Sequence, residues 1–348
     1  MKHLITFTAI AAVAASGTAS AQTPTPAYSK PSGYVTETLK GDGAFNLIGL
    51  TLHQSPVASG VLSSVSSTKV SDSTTNFTTL LTPGSKYIIQ FKSGSQNGGI
   101  QIVSSWGTAS GGGNTVNDLV MPQNVLSMGV AAGDSYELRP AATLSSVFGA
   151  SNQAGLKSGS LLSADIIWLP DGFGGFTKFY YSPGTTVPFV TPAGWKDSSG
   201  ANAANQAIVY TDALFIQRRG VGDLKLVLTG QVKTTRTQVI AVGSQFSYVS
   251  SVFAVGTTLG TSGLEQGLKA GSLISGDVLW MQNAARDGYD KFYYSPGTTV
   301  PFVTPAGWKT SAGGNATTQP LTSGIIIQRR DPTNSAPPIN PPSSYSNL

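Results

Sequence analysis

Apolar and polar positions alternate in short runs along most of this chain, and turn residues punctuate the runs. Residues 161–169 set Leu162, Ile166 and Trp168 on one side and Leu161, Ser163, Asp165 and Ile167 on the other, the period of two of a strand. Residues 178–182, rich in aromatics, predict a second strand. Pro183 and Gly184 predict a turn, because proline presets φ and glycine tolerates positive φ. Residues 187–191 predict a short strand that Pro188 confines to an edge or a bulge. Pro192, Ala193 and Gly194 predict another turn, leading into Trp195. Residues 207–219 predict the last strand of this stretch. The 3.6-residue period is scarce; only Leu156 and residues 264–268 predict a helical turn each. The fold class expected is all-β, sandwich or barrel-like.

The pattern occurs twice. Residues 178–196 read KFYYSPGTTVPFVTPAGWK, and residues 291–309 read the same letter for letter. The match extends upstream to the Asp165 and Asp277 segments and downstream to Gln-Arg-Arg at Arg219 and Arg330. The offset is 112 residues at Asp165 and Asp277, 113 at Lys178 and Lys291, and 111 at Arg219 and Arg330. Small loop insertions account for the drift. So long a period indicates tandem units rather than a solenoid, whose repeats run about 20–50 residues. A weaker echo, Ile88-Ile-Gln-Phe-Lys92 after Leu81-Thr-Pro-Gly84, suggests a degenerate third unit. The expected layout is a flexible linker at 22–40, a degenerate β unit at 41–130, full repeats at 131–219 and 220–331, and a disordered proline-rich tail at 332–348.

The first residues carry a different signal. A basic start, an apolar run over 4–15 and small residues before Gln22 have the pattern of a secretory signal peptide over 1–21. No later segment is apolar for the roughly 20 residues a spanning helix needs. The expected destination is outside the cytoplasm: extracellular, cell-surface or periplasmic. With no cysteine, stability must come from burial and strand pairing rather than disulfides.

Composition narrows the chemistry. Charged residues make up 11 % of the chain, against roughly 25 % in typical soluble domains. Glycine, serine and threonine fill the deficit. The net charge of +5 is spread thinly, without the basic stripe that nucleic-acid binding needs. His53 is the only histidine beyond the apolar N-terminus, so any Ser–His–Asp triad would have to use it. It reads better as a strand histidine on a polar face. There are too few His and Cys ligands for zinc. Asp287 and Asp290 could offer calcium two oxygens, but an ordinary Asp-Gly turn explains them as well. No phosphate loop is present, and no cofactor is expected.

Two sets of residues remain as candidates. Asp165 and Asp277 fall at matching places among apolar neighbours, and a buried carboxylate needs a partner. Arg218 or Arg219, and Arg329 or Arg330, are the matching cations, so structural ion pairs are expected. The aromatic strip supplies Tyr180, Tyr181 and Trp195 with their equals Tyr293, Tyr294 and Trp308, and with Phe189 and Phe302. These serve either as core and edge packing or as an exposed platform for sugar rings or a partner strand.

The Gly-Asp134-Ser-Tyr-Glu-Leu and Thr143-Leu-Ser-Ser-Val-Phe-Gly149 segments, Ser-Ala-Asp165-Ile-Ile-Trp, Tyr-Tyr-Ser, Gly-Trp and the Gln-Arg-Arg ending together resemble a family of exported bacterial proteins, mostly from Verrucomicrobia and their relatives. The resemblance spans nearly all of the chain after the leader. That family has no established activity, so the resemblance implies export and β architecture only.

The functional expectation is a non-enzymatic structural or adhesive component of a cell surface or matrix. Its partners would be a surface polysaccharide or further copies of itself. The alternatives are a pair of carbohydrate-binding strips and, third, a polysaccharide hydrolase built on two carboxylates.

Overall fold

The computed structural model describes residues 31–108, 113–172, 174–186, 190–299, 304–346 and 348. The predicted signal peptide, residues 22–30, most of the predicted strand 187–191, and both Phe189 and Phe302 lie outside these. The described chain is almost entirely β, with several antiparallel sheets. No described helix is long and apolar enough to cross a membrane.

Two five-stranded sheets dominate. One runs in spatial order Gly194–Asp197, Phe176–Ser182, Ile166–Pro170, Ala213–Gln217, Phe45–Gly49. The other runs Gly307–Thr310, Tyr289–Ser295, Val278–Gln282, Gly324–Gln328, Phe246–Ser250. Their registers coincide. Trp168 lies opposite Lys178 and Phe215, as Trp280 lies opposite Lys291 and Ile326. Phe45 pairs with Gln217, as Phe246 pairs with Gln328.

This arrangement corrects the expected boundaries. The strand Phe45–Gly49 does not belong to a separate N-terminal unit; it completes the first five-stranded sheet. The described part of the supposed linker is structured. Ser32–Leu39 pairs along its whole length with Leu224–Gln231. In the second sheet's surroundings, Thr237–Gln238 pairs with Pro338–Ile339. The tail is therefore tied down, with Ile339 fully buried and Tyr345 packed edge-on against Phe253. Backbone pairing and apolar burial outweigh the extended preference of a proline-rich stretch.

Residues 51–140 lie between the first two strands, in chain order, of the first five-stranded sheet. Their strands form two four-stranded sheets, one of Ala58–Val61, Ser135–Pro140, Tyr87–Phe91 and Ile100–Val103, the other of Ser64–Val65, Lys69–Ser71, Asp118–Val120 and Ser105–Trp106. Their strand order differs from that of the five-stranded sheets, and their core around Phe77, Phe91, Leu119 and Tyr136 is separate. The two five-stranded sheets instead share one core, which runs from Ile48 and Trp195 to Trp308 and Ile327. They meet where Gly49 and Gly324 approach. A Cβ on Gly324 would stand 2.7 Å from Leu47 Cγ and 3.0 Å from the Ile48 nitrogen.

Local detail differs from the sequence reading in three places. The strand predicted from residue 161 begins only at Ile166. Ser160 and Ser163 close a turn before it, with the Ala164 N–H donating to Ser160 O at 2.8 Å, and Leu162 is left 87 % exposed. The strand predicted over 207–219 is broken into Ala207–Ile208 and Ala213–Gln217 by a turn in which the Asp212 N–H donates to Val209 O. Leu156 lies in a loop; the helical turn of the first copy is Leu144–Phe148, capped by Thr143, and Leu259–Ser262 with Thr258 matches it. The predicted Pro183-Gly184 turn is present, with Gly184 at φ +77° and its equal Gly297 at +78°.

Candidate functional site

The matched acids and arginines meet. Asp165 immediately precedes its strand. Its Oδ2 accepts from Arg218 Nη1 at 2.6 Å and from the Lys157 N–H at 2.7 Å. Its Oδ1 accepts from the N–H groups of Arg219 and Gly220 at 2.6 and 3.0 Å. Asp277 repeats this with Arg329 Nη1 at 2.8 Å, the Lys269 N–H at 2.8 Å and the Arg330 N–H at 2.7 Å. The second arginine of each doublet turns to main-chain carbonyls: Arg219 to Leu161 and Ala164, Arg330 to Leu273. Both oxygens of each carboxylate are thus engaged, and each acid staples two loops and a strand end together. Buried and bonded in this way, neither acid is placed to meet a substrate.

The aromatic strip divides between core and surface. Trp195 and Trp308 are 1 % and 2 % exposed, so neither is a platform. Tyr181 and Tyr294 lean edge-on against them at 5.3 and 5.6 Å between centroids. Tyr180 and Tyr293 point to the other face, opposite Lys196 and Lys309, and are partly exposed. On that same face Lys178 and Lys291 sit over Trp168 and Trp280, at 4.2 and 3.9 Å from the ring centroids.

His53 is buried. Its Nε2 lies 2.8 Å from Val252 O, and its ring meets Tyr210 edge-on. Burial, with Arg139 and Lys233 nearby, pushes its pKa down to about 3. A neutral ring bonded to a carbonyl and an aromatic neighbour is core, not a general base. Asp287 is held by Asn283 Nδ2 at 2.8 Å in its own turn. Among the described residues no three His, Asp or Glu side chains converge as a metal site would require.

The sequence reading missed a different acid. Asp212 lies at the meeting point of three adjoining cavities of about 550, 490 and 400 Å³. The first is bounded by the inserted unit (Gln101, Ile102, Gln123) and by Val209 and Ile240 of the main body. The second runs along Pro170, Asp171 and Gln206. The third ends at Phe246 and Tyr248. Asp212 and Ile102 line all three. Among the described residues, the one side-chain partner of the Asp212 carboxyl is Thr211 Oγ1, at a long 3.4 Å. Protein encloses the group on most sides, and this desolvation raises its pKa to about 7. Asp171, by contrast, is an exposed turn residue whose Oδ1 accepts from the Gly175 N–H.

The second cavity has an equal in the other copy. There Met281, Gln282, Gln319, Leu321 and Ser323 line a space of about 610 Å³ at the places of Leu169, Pro170, Gln206, Ile208 and Asp212. The acid is replaced by serine, and the Glu37–Arg286 ion pair, 2.7 Å long, stands at this cavity instead. Asp212 was hard to find because it sits beside a two-residue insertion, Val209 and Tyr210, that the second copy lacks. An acid in an otherwise apolar strand run, without an acidic equal in the other repeat, is the signal that could have found it.

No family model, curated protein or solved structure matches this chain.

Proposed function

We propose that this is an exported, non-enzymatic structural or adhesive β protein of a cell surface or matrix. One observation carries the reading: the chemistry shared by the two copies is consumed in holding the scaffold. The Asp–Arg pairs brace loops, the strip tryptophans fill the core, and the paired lysines cover Trp168 and Trp280. What a duplicated rigid scaffold offers is surface, held in fixed register. Among the described residues of the strip, the alternative, a pair of carbohydrate-binding strips, retains Tyr180 and Tyr293 as partly exposed rings on the open face. Light scattering on the purified chain, alongside turnover assays on polysaccharides, tests the proposal. Self-assembly or surface adhesion without turnover supports it; polysaccharide cleavage that disappears in an Asp212→Asn variant overturns it.

A further inference from the structure

The groove at Asp212 has the composition of a recognition site. Its three lobes share Asp212 and Ile102 as lining residues. They are walled by three separate parts of the chain: the inserted unit, the first copy and the second copy. Among the described residues, Asp212 is the only carboxylate or base lining the first and third lobes; the second adds Lys86 and Asp171.

The remaining polar groups are mostly neutral side-chain amides and hydroxyls. Gln101 Nε2 donates to Gln123 Oε1 at 3.2 Å. That bond leaves Gln101 Oε1 as an acceptor and Gln123 Nε2 as a donor on two residues that line the first lobe. Between the polar groups lie apolar faces. Ile240 is 58 % exposed, and the Phe246 ring, 45 % exposed, ends the third lobe beside Tyr248.

We propose that this groove binds a neutral glycan chain, with Asp212 bonding sugar hydroxyls at its centre and Phe246 stacking on a ring at its end. A neutral sugar chain presents alternating hydroxyl donors, hydroxyl acceptors and C–H faces, and the groove offers the complement of each. Cavities of this size suit several linked units rather than one. The competing occupant is a peptide added to the sheet edge at Ile100–Val103. The observations disfavour it. That edge is four residues long, whereas the side-chain donors and acceptors extend through all three lobes. The facing strand Phe246–Ser250 is already engaged, since the Ser250 N–H donates to Thr211 O at 2.8 Å and Asp212 bridges to Val249. The equivalent cavity of the second copy, with Ser323 for Asp212 and the Glu37–Arg286 pair at its wall, is not a second site, so the stoichiometry is one glycan per chain.

This inference gives the adhesive reading its partner and rests on that reading for its biological role. The test is titration calorimetry of the full chain with neutral hexasaccharides of glucose, mannose and galactose, run beside a random-peptide display. The expected result is saturable binding of at least one hexasaccharide at one per chain. Asp212→Ala and Phe246→Ala each weaken it at least tenfold, and Ser323→Ala leaves it unchanged. Circular dichroism and melting confirm that the variants fold, and Asp212→Asn, which keeps the shape, is the second variant if Asp212→Ala does not. No binding by any of the three at millimolar concentration, binding that survives both groove substitutions, or selection of peptides in their place overturns the proposal. Scattering on the same samples reports assembly independently, so an empty groove on a self-assembling chain would leave the structural reading standing.

Discussion

Arg218 Nη1 lies 2.6 Å from Asp165 Oδ2, with both side chains almost wholly out of water. The same relationship recurs between Arg329 and Asp277 at 2.8 Å. Breaking such a pair leaves one buried charge uncompensated. Arg218→Met should therefore cost about 3–5 kcal/mol of stability, measured by urea unfolding. Lys40→Met, which removes the exposed pair with Asp223, should leave the midpoint unchanged. Equal effects from the two substitutions would contradict the bracing role.

Asp212 should make the protein less stable as pH rises. Its folded pKa of about 7 lies above the ordinary carboxylate value, so the folded state holds its proton longer. Stability contributed by that proton is lost as pH climbs from about 4 to about 7. The loss is at most about 4 kcal/mol at roughly 1.4 kcal/mol per pKa unit, and less because the carboxyl opens to the groove. Asp212→Asn should therefore melt higher than the parent at about pH 8 and with it at about pH 3.5. A lower melting temperature at the alkaline end would show that the carboxylate is stabilised.

His53 acts with the opposite sign. Its folded pKa of about 3 lies below its ordinary value, so the unfolded chain binds the extra proton. Stability falls as pH drops from about 6.5 towards 3, by at most about 5 kcal/mol. Between about pH 4 and 6.5 the two groups oppose each other. The parent should show a shallow dependence there, Asp212→Asn a steeper acid loss, and His53→Gln a decline with rising pH. Parallel curves for all three would refute this.

Identical strips should respond differently to the same change. Trp195 Nε1 donates to Gly149 O at 2.8 Å, whereas Trp308 Nε1 has no partner among the described residues. Both rings are buried. Trp195→Phe should thus cost about 1 kcal/mol more than Trp308→Phe, because it removes a hydrogen bond to a part-buried carbonyl as well as shrinking the ring. Denaturant midpoints of the two variants decide this.

Gly324 should resist any side chain. A Cβ there meets the main chain of Ile48 as well as Leu47, and main chain cannot rotate away. Gly324→Ala should cost about 2 kcal/mol or more through overpacking. Gly33→Ala, which meets nothing within 4 Å, should be close to neutral by thermal melting.

Much of this architecture can be read from residue patterns because it rests on local rules. The strand at 178–182, the Gly184 turn and the all-β class follow from a period of two and from the φ preferences of proline and glycine. The meeting of Asp165 with its arginines follows from matched positions and the cost of burying a lone carboxylate. The strand limits around Leu162 and Asp212 do not. There, serine side chains and a main-chain turn override apolar alternation, because they satisfy backbone groups that a longer strand would leave unpaired.

The sequence by itself determined that a β unit is written twice and that its acids, arginines and tryptophans recur in register. Only the tertiary structure decided which strands complete each unit. Phe45–Gly49 and Ala213–Gln217 cannot be paired by spacing alone, since the inserted residues 51–140 separate the first of these strands from the rest of its sheet. Burial was decided the same way: Trp195 and Tyr180 belong to one repeated strip, yet sheet pairing sends one into the core and the other outward. Asp212 owes its raised pKa and its place in a groove to three chain segments brought together by folding. Desolvation depends on everything that surrounds a group, and a linear pattern records only its neighbours along the chain.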